Sequence, residues 1–252
     1  MAPSILPDET LESVRQWSTD LKRSATVDVP TRVRTALRDT KHFALRELTI
    51  RRYLRDHQER KLQLGTGGNF MEGWLNTDLF PFSRATAFMD VTKRFPLPDA
   101  SFDYIFSEHQ IEHVSYPDGA SMLRECFRVL RPGGLVRLAT PDLAKLLSLY
   151  QDPNGEGKRY IQWITDRFMP ECPGYSPVFV INLCMRFAGH QFLYDAPTLR
   201  TLLGSIGFVD IEQCEPNISR HAALNGIDSH HLFTQDEWIN RFESMVFEAR
   251  RP

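Results

Sequence analysis

The sequence predicts an α/β fold in which a mostly parallel sheet of seven strands carries helices on both faces. Two observations support it: from residue 61 onwards short apolar runs alternate with helical stretches, and turn residues separate them. This alternation is typical of parallel sheets whose strands are joined by helical crossovers. The predicted strands are Lys61–Leu64, Leu75–Thr77, Ala85–Asp90, Phe102–Phe106, Leu135–Thr140, Phe208–Cys214 and Met245–Ala249.

Two helices between these strands have well-marked ends. The first ends at Arg131–Gly134, because proline cannot continue a helix and glycine tolerates a positive φ. The second is predicted to begin near Asp195 and to end before Gly207, with Pro197 in its first turn. The first helix has an apolar stripe that consists of Met122, Leu123, Cys126, Phe127 and Leu130.

Two further segments stand outside this alternation. Residues 1–60 are predicted to form a helical N-terminal extension, because Thr31–Lys61 lacks glycine and proline and has apolar residues at helical spacing. This stretch is rich in arginine, so we interpret it as a solvated helix face, with a lid over the cofactor or a surface for an anionic substrate as the alternatives. Residues 61–252 form the main domain, in which residues from about 150 to about 190 are predicted to form a cap insertion.

Composition narrows the class of protein. The chain has 252 residues, a formal net charge of -2 and four cysteines without a CxxC pair. That charge gives no general attraction to nucleic acid or to an anionic membrane, and the cysteine spacing argues against a zinc ribbon or a disulfide framework. No secretory signal or membrane-spanning run is evident. The sequence therefore predicts a cytoplasmic protein in a reducing compartment.

A glycine-rich turn follows the first predicted strand and indicates a ligand site. Gly65 and Gly67 allow a ligand to approach the backbone more closely than a β-carbon would permit. Asp78 ends the next strand, where a carboxylate can accept hydrogen bonds from both hydroxyls of a ribose, and Asp90 ends the third. Only residues 66–77 lie between Gly65 and Asp78, so the usual helix there must be shortened or replaced by a loop. This spacing argues against an NAD enzyme.

Six motifs occur in a recognisable order, namely Leu64–Gly67, Gly73–Asp78, Phe95–Tyr104, Leu123–Gly134, Gly189–Asp195 and Leu202–Phe208. On these motifs the chain resembles the Rossmann-like class I S-adenosylmethionine-dependent methyltransferases, especially their small bacterial branch, over about residues 61–215. The resemblance implies S-adenosylmethionine as cofactor, with its methionine end at the glycine turn, its ribose at Asp78 and its adenine beside Asp90. The residues assigned to cofactor binding are Gln63, Gly65, Thr66, Gly67, Asp78, Asp90, Val91 and Ser107.

The reaction centre is predicted in Ser107–His113, which follows the fourth strand and is expected to begin a short helix at the carboxyl edge of the sheet. His109, Glu112 and His113 would then share one helical face. Two imidazoles and a carboxylate on one face can hold a divalent cation. The same residues fit the H-x-x-E-H pattern of a protease class, but the methyltransferase resemblance argues against a protease.

This segment also resembles the Glu-x-x-Glu-His motif of plant small-RNA 2′-O-methyltransferases and of ubiquinone-pathway O-methyltransferases, with His109 in place of the first glutamate. A later histidine of the small-RNA enzymes is matched by His190. The resemblance implies a metal site of His109, Glu112, His113 and His190, and imidazole ligands make Mn²⁺, Zn²⁺ or Fe²⁺ as suitable as Mg²⁺. Two alternatives stay open: Glu112 and His113 only pack and hydrogen-bond, or His109 acts as a general base.

The predicted reaction is methyl transfer to a hydroxyl of a sugar or another polyhydroxylated metabolite, because an alkyl hydroxyl needs a base or a Lewis acid to lose its proton. His109, Glu112 and His113 are the predicted catalytic residues. The alternatives are an RNA ribose 2′-O-methyltransferase and a non-catalytic cofactor-binding partner protein. The expected partner is a small hydroxylated molecule. Binding to nucleic acid and a membrane-spanning segment are not expected, and a homodimer is an alternative to a monomer. We interpret His221, His230 and His231 as residues of a surface loop, with contact to the substrate as the alternative.

Overall fold

The computed structural model describes residues 45–81, 83–152 and 154–252. Most of the predicted N-terminal extension, residues 1–44, lies outside that range. A helix, α1, covers residues 45–56, so the predicted helix up to Lys61 ends earlier than expected. The Tyr53 hydroxyl explains this end, because it accepts from the Lys61 amide at 2.8 Å and lies 3.0 Å from the Gly73 carbonyl oxygen. Within the described residues no helix is long and apolar enough to cross a membrane.

Seven strands form one sheet in the order β3-β2-β1-β4-β5-β7-β6. The strands β1 to β5 run parallel to one another, and β7 runs antiparallel to both β5 and β6. The mostly parallel seven-stranded sheet of a Rossmann-like fold is thereby confirmed. The strands are β1 (Lys61–Leu64), β2 (Leu75–Asp78), β3 (Ala87–Phe88), β4 (Phe102–Glu108), β5 (Leu130–Pro141), β6 (Val209–Cys214) and β7 (Ser244–Arg250).

Two strands differ from their predicted lengths. β3 has only two residues, because Ser83 turns the chain and its hydroxyl accepts from the Ala85 amide at 3.2 Å. β5 begins at Leu130, directly after a helix, and includes the glycines that were predicted as a turn. Those glycines belong to the strand because Gly133, whose φ is +83°, donates to the Arg251 carbonyl at 2.8 Å and Gly134 accepts from the Arg251 amide at 2.9 Å.

Two helices pack on one face of the sheet. The predicted ends of the second are confirmed, whereas the first ends at Val129, before the predicted Arg131–Gly134, because Leu130 already pairs with Phe102 in the sheet. α2 (Tyr116–Val129) contributes Leu123 and a second helix contributes Leu199 to an apolar core shared with strand residues such as Ile105. That second helix, Ala196–Ile206, is capped by Asp195, which accepts from the Thr198 amide at 2.9 Å. It ends at Gly207, whose φ of +112° lies in the region that favours glycine.

The opposite face of β4 and β5 is covered differently. Successive residues of a strand point to opposite faces, so Phe106 and Leu135 lie on the side away from α2. There they pack with Trp74 and Leu224, which come from the connections after β1 and β6. The connection after β6 therefore lies against the sheet, and this position brings residues 215–229 towards its carboxyl edge.

Residues between β5 and β6, together with a helix near the C-terminus, form a second apolar cluster. It includes Leu149, Tyr160, Val180 and Phe242, each from a different helix. These helices are α3 (Leu143–Gln151), α4 (Lys158–Phe168), α5 (Pro177–Cys184) and α8 (Glu237–Glu243); α6 is Ala196–Ile206 and α7 is His230–Thr234. The segment predicted as a cap is therefore helical and has apolar packing of its own, next to the edge where β5 ends.

Candidate active site

The glycine turn follows β1 at the carboxyl edge of the sheet. Gly65 and Gly67 have φ values of +67° and +50°, which non-glycine residues rarely adopt. The Gly67 amide donates to Asp78 Oδ2 at 2.8 Å, and the Phe80 amide donates to Asp78 Oδ1 at 2.7 Å. Burial raises the pKa of Asp78, while these amides lower it in part. Asp78 thus orders the turn, and each of its oxygens keeps a lone pair for a further donor.

Two buried polar atoms beside this turn have no partner among the described residues. They are Gln63 Oε1 at the end of β1 and Ser107 Oγ near the end of β4. Gln63 uses its other amide atom, since Nε2 donates to the Asn69 carbonyl at 3.0 Å. Because buried polar atoms are normally hydrogen-bonded, these two atoms fit a polar ligand at this edge. Thr66, by contrast, is satisfied by the Thr77 carbonyl at 3.1 Å.

Sequence reasoning missed Gln110, whose side chain lies over the glycine turn. A β-carbon at Gly65 would be 2.1 Å from Gln110 Oε1, which is far too close. Any other residue at this position would displace the Gln110 side chain, and the φ of +67° is the feature that favours glycine. A signal was present in the sequence, because Gln110 follows β4 and the ends of β1 and β4 are adjacent in a sheet of this order.

Asp90 and Val91 lie after β3, further along the same edge. Asp90 Oδ1 accepts from the Thr92 amide at 2.9 Å and from the Thr92 hydroxyl at 2.7 Å, so this oxygen orders its own turn. Val91 is buried in the main apolar core. Their predicted contact with adenine stays a prediction.

The segment after β4 is not the predicted helix. β4 continues to Glu108, and His109 then takes a left-handed conformation with φ of +48°. Its amide donates to the Ala139 carbonyl at 2.9 Å, which prolongs the pairing with β5 and prevents a helix from starting. Only a short 3-10 turn, Ile111–His113, follows. The prediction that His109, Glu112 and His113 share one helical face is therefore wrong.

Glu112 is nevertheless at the centre of the site and is fully buried. Its Oε2 accepts from the Thr140 hydroxyl at 3.0 Å, and its Oε1 is 3.1 Å from His109 Nδ1. Burial alone would raise the pKa of this carboxyl. The contact with His109 and the nearby His113 and His190 outweigh burial and lower the pKa to about 2. Glu112 is thus a buried carboxylate held in its charged form.

Three of the four predicted metal ligands come together. The ligand atoms of Glu112, His113 and His190 all lie within 4.8 Å of one another. His190 Nδ1 is 2.7 Å from the Cys184 carbonyl oxygen, a contact in which the ring nitrogen must be the donor, so Nε2 is left as the atom with a lone pair. Burial lowers the pKa of His190, which keeps the imidazole neutral. A carboxylate and two imidazoles, one of them oriented by a carbonyl, fit a divalent cation.

The fourth predicted ligand, His109, is not a member of that group and faces a second set of residues. Its Nε2 is 2.9 Å from the Ser244 hydroxyl, and its ring stacks on His230 with 3.8 Å between centroids. His230 Nε2 makes a short contact with the carboxylate of Glu243, which also accepts from the Tyr160 hydroxyl at 2.8 Å. Burial lowers the pKa of His109, but Glu112, Glu243 and Glu108 together raise it.

The surface-loop interpretation of His230 is therefore wrong, although His221 and His231 are half-buried and lie outside this cluster. The reason lies in residues 215–229, which are tied to the sheet by the fully buried Arg137. This guanidinium pairs with Asp228 and with Glu248, and it also donates to the Glu215 carbonyl at 3.2 Å. Glu108 then accepts from the Ser229 and His230 amides at 2.8 and 3.0 Å, which fixes His230 against His109.

Known proteins resemble part of this chain, and the matched family model includes Glu112 and His113 but not the glycine turn, Asp78 or His190. The family model described as a methyltransferase domain matches residues 80–138. A probable S-adenosylmethionine-dependent methyltransferase of Mycolicibacterium smegmatis is 51% identical over 47 residues, and one of Mycobacterium tuberculosis is 49% identical over 47 residues. These matches cover 19% of this chain and 18% and 16% of the two relatives. They support a class I S-adenosylmethionine-dependent methyltransferase.

Solved structures with similar topology have lower sequence identity. An S-adenosylmethionine-dependent methyltransferase from Archaeoglobus fulgidus is 18% identical, with a TM-score of 0.44, and the alignment covers 81% of this chain and 94% of that chain. A methyltransferase from Mesorhizobium loti is 18% identical, with a TM-score of 0.46 and coverage of 76% of this chain and 90% of that chain.

Proposed function

We propose that this protein is an S-adenosylmethionine-dependent O-methyltransferase that acts on a hydroxyl of a sugar or another polyhydroxylated metabolite, with a divalent cation at Glu112, His113 and His190. One observation carries the proposal: these three ligand atoms lie within 4.8 Å of one another, and Glu112 and His113 belong to the segment that leaves β4 at the edge where the glycine turn leaves β1. A methyl donor at the turn and a hydroxyl at the cation would then be neighbours.

The cofactor side of the proposal rests on the glycine turn. Asp78 keeps lone pairs for the ribose hydroxyls, and the unpartnered Gln63 Oε1 and Ser107 Oγ offer buried polar contacts to the methionine end. When bound, S-adenosylmethionine supplies a methyl group on a positively charged sulfur. The role of the protein is to hold that methyl group in place and to exclude bulk water from it.

The acceptor side rests on the charge state of Glu112 and the orientation of His190. When bound, a divalent cation supplies a positive charge that lowers the pKa of a nearby hydroxyl. Glu112 stays ionised because His109 and the Thr140 hydroxyl stabilise its charge. The Cys184 carbonyl fixes the tautomer of His190. In this proposal His109 holds Glu112 in place and does not bind the ion.

Metal removal and restoration test the proposal on the full chain. We expect a chelator to abolish methyl transfer from labelled S-adenosylmethionine to a panel of saccharides, phenols, amines and RNA, and one of Mg²⁺, Mn²⁺, Zn²⁺ or Fe²⁺ to restore it. His113→Asn and His190→Asn should each lower metal affinity by about tenfold or more. Loss of a residue that only hydrogen-bonds to a metal ligand already lowers affinity by that much. His221→Asn is the matched control, because His221 lies outside the cluster.

Calorimetry with S-adenosylhomocysteine should give the same cofactor affinity in wild type, in His113→Asn and in His190→Asn. Three other outcomes would redirect the proposal. If metal-free protein turns over at full rate and only His109→Ala is inactive, then His109 acts as a general base and the metal is not needed. Transfer to RNA alone would favour a ribose methyltransferase, and cofactor binding without transfer to any acceptor would favour a non-catalytic partner protein.

A further inference from the structure

The connection between β1 and β2, residues 65–74, contains no helix. Parallel strands are usually joined by a helix that packs on one face of the sheet. In a right-handed connection such a helix would cover the face away from α2, since β2 and β5 lie on opposite sides of the central pair β1 and β4. On that face Leu224, from the segment 215–229, packs instead with Trp74 and Phe106. This segment therefore occupies the place of the missing helix.

One side chain ties the segment to the glycine turn. Asn69 Nδ2 donates to Ser229 Oγ at 2.6 Å, across 160 residues of sequence. The backbone of Asn69 belongs to the turn itself, because its amide donates to the Thr66 carbonyl at 2.8 Å and its carbonyl accepts from Gln63 Nε2 at 3.0 Å. A displacement of the turn would therefore weaken the bond to Ser229.

Ser229 also contacts the strand that leads into the reaction centre. Its hydroxyl donates to Glu108 Oε2 at 2.6 Å, and its amide donates to Glu108 Oε1 at 2.8 Å. Glu108 accepts from the His230 amide at 3.0 Å as well, and the His230 ring stacks on His109. A continuous path of hydrogen bonds thus joins the glycine turn to the imidazole that contacts Glu112. We call three residues of this path the latch: Asn69, Ser229 and Glu108.

We propose that Ser229 is a positioning residue through which the glycine turn and the cation site are coupled, so that a cofactor bound at the turn raises the affinity for a divalent ion. This inference rests on the proposed function. A ligand that orders a segment removes part of the ordering cost for a second ligand, which is the physical origin of the coupling. The effect is reciprocal and needs both ligands, so the cofactor affinity of metal-free protein does not depend on the cation site.

Amide hydrogen exchange tests the latch on the full chain without any metal. We expect saturating S-adenosylhomocysteine to slow exchange in residues 215–230 of the wild type and to have almost no effect there in Asn69→Ala and Ser229→Ala. Ser229→Thr should restore the effect, because threonine keeps the hydroxyl. The matched control is Ser101→Ala, which removes a buried hydroxyl that donates to the Pro98 carbonyl at 2.7 Å, next to the opposite end of β4.

Cation affinity gives the second measurement, in which Mn²⁺ is titrated with and without S-adenosylhomocysteine. We expect the cofactor product to raise Mn²⁺ affinity by about fivefold or more in the wild type and in Ser101→Ala, and by less than about twofold in Asn69→Ala. Without the cofactor product Asn69→Ala should bind Mn²⁺ like the wild type, because the bonds between Ser229 and Glu108 remain. The double variant Asn69→Ala, Ser229→Ala should couple no less than Ser229→Ala, since both changes break one path.

The two measurements separate failure of the latch from failure of the proposed function. Wild-type exchange and coupling in both alanine variants would overturn the inference and leave the proposed function standing. So would a wild type in which S-adenosylhomocysteine binds and changes neither quantity. A wild type that binds none of Mg²⁺, Mn²⁺, Zn²⁺ and Fe²⁺ but shows slower exchange that depends on Asn69 would overturn the cation site and support the latch. Urea unfolding identifies variants that do not fold, and Asn69→Ala decides the outcome if Ser229→Ala is one of them.

Discussion

Two ionic clusters include residues of the segment 215–230, one through Asp228 and the other through His230, and they are built around different basic side chains. The arginine cluster joins Arg137 to Asp228 and Glu248, and the guanidinium also donates to the Ile218 carbonyl at 3.2 Å. The histidine cluster joins imidazoles to the buried Glu112 and the partly buried Glu243, and it consists of His109, Glu112, His113, His190, His230 and Glu243. The arginine cluster is fully buried and most of the histidine cluster is half-buried, but only the second contains groups whose unperturbed pKa lies near neutrality.

The difference shows which cluster holds the fold and which can do chemistry. The carboxylates of Asp228 and Glu248 raise the pKa of Arg137, so its charge is fixed at every pH at which the protein is folded. The histidine cluster combines a carboxyl pKa lowered to about 2 at Glu112, a raised pKa at His109 and a lowered pKa at His190. Opposed shifts among neighbouring groups are typical of functional sites.

The largest expected effect comes from removing the fixed charge. Arg137→Met leaves the buried carboxylates of Asp228 and Glu248 without the guanidinium that compensates their charge, and loss of one member of a buried ion pair costs about 3–5 kcal/mol. We expect the free energy of unfolding in urea to fall by that amount. The variant should also lose activity, because Arg137 ties the residues before His230 to the sheet.

A matched pair of controls separates charge from packing in this test. The exposed pair between Arg51 and Glu47 should tolerate Arg51→Met with a loss of no more than about 0.5 kcal/mol. The triple variant Arg137→Met, Asp228→Asn and Glu248→Gln should recover most of the lost stability, because no buried charge is left uncompensated. A triple variant as unstable as Arg137→Met would show that packing, and not charge, dominates at this position.

The second expected effect is a loss of stability in acid that belongs to the histidine cluster. The folded pKa of Glu112, about 2, lies below its usual value of 4.5, so its contribution is present above pH 4.5 and is lost as the pH falls towards 2. A shift of this size corresponds to about 3 kcal/mol. Urea unfolding of chelator-treated protein between pH 6 and pH 3 should show the decline, and Glu112→Gln should flatten it.

The pKa shifts of His109 and His190 have opposite signs, so the contributions of these two residues to stability change in opposite directions with pH. The raised pKa of His109 stabilises the fold below its unfolded value of 6.5, and this contribution disappears as the pH rises through the folded pKa. The lowered pKa of His190 destabilises the fold as the pH falls below 6.5. Arg137 stays protonated throughout this window. An acid decline of equal slope in Glu112→Gln would therefore assign it to groups other than Glu112.

Signals that are local in sequence predicted much of the fold. Asp195 and Gly207 bound their helix as expected, because a capping carboxylate and a glycine with positive φ act within one turn. The strand Lys61–Leu64 was predicted to the residue. The 3-10 turn in place of a helix after β4 could not be predicted, since it depends on the pairing of His109 with Ala139 of a neighbouring strand.

The site was predictable only where it follows the ends of parallel strands. Glu112, His113 and His190 were identified by motif, but the partners of His109 were not. Ser244 opens β7 and Glu243 directly precedes it; β7 is antiparallel, so its beginning lies at the edge where the parallel strands end. That topological signal could have identified both residues. The position of His230 could not have been found, because it depends on the ion pair of Arg137 with Asp228 across 91 residues of sequence.

The smallest expected effect tests how tightly the histidine cluster is held. Ser244→Ala removes the hydroxyl that is 2.9 Å from His109 Nε2 and 3.3 Å from Asn240 Oδ1, in a buried position. Loss of one such hydrogen bond costs about 1 kcal/mol. Ser121→Ala, which removes an exposed hydroxyl that donates to the Pro117 carbonyl at 3.0 Å, is the control and should cost less.

The readout that distinguishes support of His109 from plain stability is the pH profile of kcat. If Ser244 orients His109, and His109 in turn holds Glu112, then Ser244→Ala should move the limb of the profile near neutrality and Ser244→Thr should restore it, since threonine keeps the hydroxyl. The Ser121 variant should leave the profile unchanged. A Ser244→Ala protein with reduced stability and a wild-type pH profile would show that Ser244 only packs, and that Glu112 keeps its charge without help from the far side of the imidazole.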